Sequence, residues 1–140
     1  MVQQTTRYGL GVTVPLAYDE AVTRTREALA REGFGVLTEI DVRATMKTKL
    51  DVDFRPYVIL GACNPPLAYK ALSAERDIGL LLPCNIVVYA GDADGTSVVT
   101  AMDPVEALQL TGRSDIHDMA VDVRQRLERV LADVERGAGA

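Results

Sequence analysis

Residues 57–75 read YVILGACNPPLAYKALSAE, and the opening heptad of this stretch decides the architecture. YVILGAC places apolar side chains on both parities of an extended chain, so both faces of its sheet would carry hydrocarbon there. That is the pattern of a central strand. The run is stopped by Cys63, Asn64, Pro65 and Pro66. Asn64 is suited to cap a helix, and Pro65 falls at the first helical position, where a missing N–H does no harm. A short helix over 65–73 is expected.

Outward from this strand the chain repeats its punctuation. LLPCNIVVY (81–89) sets a second Cys-Asn pair at the start of another strand, and DADG (92–95) turns it into TSVVTAM as a hairpin. Upstream, YGLGVTV (8–14) and FGVLTEIDVR (34–43) alternate as strands. Between them YDEAVTRTREALAREG has 3.6-residue spacing, leading acids, following arginines and a glycine stop. Residues 44–50 fit either a short helix or an exposed crossing. Asp103-Pro104 opens a short helix ending at Gly112, and the last helix carries an apolar stripe from Ile116 to Val134 before Gly137. Five strands with few crossovers imply an α+β fold, a mostly antiparallel sheet in β-α-β(4)-α order packed by two main helices. One domain over 1–140 is expected, with its core at about 8–135 and a flexible tail at 137–140.

Composition narrows the classes. A 48% hydrophobic and 25% charged chain is ordinary for a globular protein, and no run approaches the roughly 20 apolar residues of a membrane span. The N-terminus has no basic region followed by an apolar stretch, so the expected compartment is the cytoplasm. A net charge of −5, with arginines scattered beside acids rather than lined up, argues against nucleic-acid binding. In a reducing compartment the two cysteines, Cys63 and Cys84, are expected as free thiols.

LGACNPPLAYKAL (60–72), GLLLPCNIVVY (79–89) and MDP (102–104) together resemble a bacterial and archaeal family known as domain of unknown function 302. GFGVLTEIDVRATMKTKL (33–50) resembles that family's second strand and the turn after it, and the similarity runs from about residue 8 to residue 135. The resemblance implies a TATA-binding-protein-like fold, and no established function. Lys47 and Lys49 match basic positions of the family, while Asp51 stands where the resemblance leads one to expect glycine. A shared fold does not carry DNA binding with it.

The site candidates are Cys63, Asn64, Cys84, Asn85 and Lys49. Both cysteines lie at strand ends, where irregular backbone builds sites. Free cysteine is also among the residues most often simply buried. Cys63 precedes a helix N-terminus, which lowers a thiol pKa. Pro65 and Pro66 remove two of the N–H groups an anion would need there. Any metal would fall to Cys63 and Cys84, since the lone His117 is distant in sequence and zinc needs about four ligands. No Gly-x-Ser-x-Gly, Cys-x-x-Cys or phosphate loop is present. The reading is a small-ligand or soft-metal binding module with its pocket at the two Cys-Asn strand ends. A thiol-dependent enzyme or redox sensor using Cys63 and Cys84 is the alternative, and a structural role in an oligomer the third. Enzymatic activity is left open with a leaning against it, and no cofactor is named. If strands 57–63 and 84–90 are antiparallel neighbours, the two cysteines fall opposite or near each other on one sheet face. The apolar residues on both faces of YVILGAC also lead one to expect a homodimer.

Overall fold

The computed structural model describes residues 1–139 and leaves Ala140 outside them. In chain order, β1 (Gln3–Thr6) and β2 (Gly9–Val14) lead to α1 (Tyr18–Arg31), β3 (Gly35–Asp41), α2 (Val42–Leu50) and β4 (Tyr57–Cys63). Then come α3 (Pro65–Ala74), β5 (Cys84–Ala90), β6 (Ser97–Met102), α4 (Pro104–Leu108) and α5 (Ser114–Gly139), with 3₁₀ turns at Arg76–Leu81 and Gln109–Thr111. Every strand pair is antiparallel, in the order β1-β2-β6-β5-β4-β3. The chain is α+β, and β4 sits inside the sheet, as its two-faced apolar pattern requires.

The expected five strands are six among the described residues. The additional one, Gln3–Thr6, is fully exposed and has no apolar alternation. It forms because the chain folds back at Arg7 and Tyr8, pairing Gln3 with Gly11 and Gln4 with Leu10. Backbone hydrogen bonds, not burial, make this strand. The expected tail is corrected as well. α5 continues through Gly137 to Gly139, and Ala138 packs against the core. Of the expected 137–140 tail, only Ala140 lies outside the described residues.

Residues 42–50 are a helix, although none of its side chains is buried. Local hydrogen bonds define it. The Asp41 carboxylate accepts from the Ala44 N–H at 2.9 Å, and the Thr45 hydroxyl donates to the Asp41 carbonyl at 2.8 Å. It stops at Asp51, a left-handed residue with φ 52° and ψ 38°. Glycine takes that conformation without steric cost, which explains why glycine is the expected residue there.

One face of the sheet, carrying Leu10, Val12, Leu60, Ile86, Val88 and Val99, is buried under α1 and α5. Each large aliphatic side chain buried in this way contributes about 1.5–3 kcal/mol. α1 offers Ala21, Thr25, Ala28 and Leu29, and the Thr25 hydroxyl is satisfied by the Ala21 carbonyl at 2.7 Å. Ion pairs between Arg31 and Asp133, and between Arg129 and Glu32, tie α1 to α5 across exposed surface. A second, smaller cluster gathers Ala71, Ile78, Leu108, Ile116 and Ala120 around the N-terminal half of α5. Among the described residues no helix is long and apolar enough to cross a membrane.

Candidate functional site

β4 ends at Cys63, and the chain turns at once into α3. The Asn64 side chain accepts from the Leu67 N–H at 3.3 Å, with Pro65 at the first helical position, as the sequence requires. On the neighbouring strand, Ala62 rather than Cys63 is paired with Cys84. Direct partners lie about 4.5–5.5 Å apart, and one further Cα step is about 3.8 Å. The two cysteine Cα atoms are therefore no more than roughly 9 Å apart. The one-residue offset corrects the expectation that both thiols share a sheet face, because successive strand residues point to opposite faces. Cys84 faces the helices and is buried, whereas Cys63 is half-buried at the strand end.

Between this strand end and the smaller cluster lies a cavity of about 260 Å³. Its floor is Ala62, Cys63 and Cys84, and Leu67, Ala68 and Ala71 of α3 form one wall. Ile116, Met119 and Val123 of α5 form the facing wall, and Leu82 and Pro83 close the end. Leu37 and Leu72, 67% and 41% exposed, stand at its mouth. The lining is almost wholly hydrocarbon, relieved by the two thiols and Asn64. Gly61 seats part of this wall from below. A Cβ there would meet the Thr38 hydroxyl and come within 2.8 Å of Pro83 Cγ, so Pro83 lies down on β4 only because residue 61 has no side chain.

The structure thus gathers three of the five candidates, Cys63, Asn64 and Cys84. Asn85 is exposed and pairs with Gly61 on the sheet face away from the helices, so it takes no part in the cavity. Lys49 is excluded by topology. β3 runs from Gly35, beside Cys63, to Asp41, beside Val58, and α2 leaves from that far end. Sequence reasoning missed Phe34, Leu108, Ile116 and Met119 as lining residues. Their apolar spacing marks core, and nothing in it distinguishes a cavity wall from a filled interior.

Burial pushes the Cys84 thiol up to about 11, and neighbouring Cys63 adds to the shift. Cys84 is therefore a neutral thiol at physiological pH and a poor nucleophile. Among the described residues no group of three or more His, Cys, Asp or Glu side chains is placed to hold a metal ion. The arrangement offers shape and hydrocarbon, with Asn64 and the half-buried Cys63 at its edge.

Residues 10–134 match the family model described as domain of unknown function DUF302, and the chain belongs to that family. It is similar to the solved structure of an uncharacterized conserved DUF302 protein from Bacillus stearothermophilus, with 31% identity and a TM-score of 0.83. That similarity covers 92% of this chain and 99% of the other. No curated protein matches.

Proposed function

We propose that this member of the family is a binding module for a small, uncharged, apolar molecule, held between the β4–β5 strand ends, α3 and α5. One observation carries the reading: the cavity of about 260 Å³ is walled by aliphatic side chains and open at Leu37 and Leu72. A void of about 150 Å³ accepts benzene, so this one suits a molecule of roughly ten heavy atoms. An ionised ligand would lose its hydration with no counter-charge in the lining. Asn64, at the strand end, supplies the polar edge that orients such a molecule. The neutral Cys84 thiol weighs against the redox reading of the same place.

The test is calorimetric titration with indole, naphthalene and 1-octanol, beside native mass spectrometry for a co-purified molecule. For ligands of this size the expected Kd is roughly 0.1–1 mM. Filling the cavity with Ala68→Phe should abolish the binding while far-UV circular dichroism stays unchanged. Folded protein that takes up none of the three probes, each titrated to near its solubility limit in water, overturns the proposal.

A further inference from the structure

We infer that the sheet face turned away from α1 and α5 is the interface through which two copies of this chain associate. Only two strand residues are charged, Glu39 and Asp41, and both pair with inward-facing partners, Leu60 and Val58. Glu39 is met there by Arg26 of α1 at 2.9 Å. On all six strands, therefore, no outward position carries Asp, Glu, Lys or Arg, in a chain that is 25% charged overall. An antiparallel sheet with one wet face ordinarily alternates apolar-in with polar-out. Here the outward positions hold Ile40, Ile59, Val87, Val98, Tyr57 and Tyr89, interspersed with the uncharged Thr13, Thr38, Asn85 and Thr100. Tyr57 and Tyr89 stack at 5.2 Å with their planes 6° apart, and Phe54 meets Tyr57 edge-on. Toward the β1 edge the face is low, since threonine side chains lie over Gly9 and Gly11.

Size and charge select a second copy as the occupant. Six strands spaced about 4.8 Å apart and about 20 Å long present roughly 600 Å² per protomer. Two such faces bury about 1,200 Å², the lower bound of stable specific interfaces, before the rim at Phe54 is counted. Each chain carries −5, so copies repel over most of their surface; this face brings no charge against its own image. Two twisted sheets pack in this way about 10 Å apart. Nucleic acid, which would use the same aromatic residues, finds no cation on the strands to neutralise phosphate, and Arg55 at the rim is already paired with Asp92.

Sedimentation of the full chain between about 5 and 200 µM tests the inference. The expected species is near 30 kDa, twice the chain mass of 15.2 kDa. Asn85→Lys alters a residue already exposed on this face and should weaken the dimer at least tenfold without unfolding it. Val87→Lys should give monomer, checked by circular dichroism. A 15.2 kDa species at the highest concentration overturns the proposal. So does a dimer whose affinity Asn85→Lys leaves within twofold, because another surface must then hold it. Monomer that binds phosphatidylcholine vesicles would assign the face to lipid and overturn it equally.

Discussion

Raising the pH from 7 to about 10.5 tests whether Cys84 is a sealed thiol or a working one. Its thiol is held at about 11 in the folded chain, against an ordinary value of 9.0 that the unfolded chain recovers. Below pH 9 both states keep the proton, and burial of the neutral thiol contributes its full stability. Above pH 9 the unfolded chain releases its proton while the folded chain holds on, so stability falls as pH rises through 11. The slope approaches about 1.4 kcal/mol per pH unit, and the loss reaches about 2 kcal/mol at pH 10.5.

Tyrosines titrate in the same range, and burial raises those of Tyr18 and Tyr57 as well. The informative quantity is thus the difference between wild type and Cys84→Ala, measured by urea unfolding at each pH. At pH 7 the alanine variant should be about 1 kcal/mol less stable, from the lost packing of one buried atom. Near pH 10.5 it should be about 1 kcal/mol more stable, because it has no thiol to ionise on unfolding. Curves that stay parallel within about 0.5 kcal/mol from pH 7 to 10.5 would refute the reasoning and mean that Cys84 is in contact with water.

Two further substitutions probe the frame around the site. Asp103→Ala removes a 3% exposed carboxylate that accepts from the Val105 N–H at 2.9 Å and lies 3.5 Å from the Arg124 guanidinium. It should cost about 2–3 kcal/mol in urea unfolding, whereas Asp103→Asn, which keeps the cap, should cost under half of that. Asp51→Gly relieves the left-handed backbone at the end of α2 and gives up only the exposed pair with Lys47. It should raise stability by about 0.5 kcal/mol, and a melting temperature unchanged or lowered would count against the strain.

Most of the frame was legible because it follows from local chemistry. Tyr57–Cys63, the Asn64 cap and the left-handed Gly112 each announce themselves in a few residues. What escaped depends on partners distant in sequence. Gln3–Thr6 is a strand only because β2 lies beside it, and the polar QQTT run has no pattern to betray that. The two thiols were placed near each other correctly, and on the wrong faces. Strand order follows from apolar pattern, but a register shift of one residue exchanges the faces, and no local signal distinguishes Ala62 from Cys63 as the partner of Cys84. Asn85 was lost to the site by the same parity. The duplicated Cys-Asn pair is therefore not a duplicated function: one asparagine caps a helix and the other faces outward.

The place of the cavity follows from how the chain divides its hydrocarbon. α5 is long enough to serve two clusters, and its first turns leave the sheet to pack on Ile78, Leu108 and Ala71. Where the clusters part, the small residues Ala62, Ala68, Ala71 and Gly79 lie among the leucines of the lining and leave the space unfilled. A dry, closed void of this size would cost on the order of 6 kcal/mol at about 24 cal/mol per Å³. That is comparable to the whole stability of a typical domain, about 5–15 kcal/mol. The gap opens outward past Leu37 and Leu72, where an apolar guest could enter and restore the contacts its walls lack.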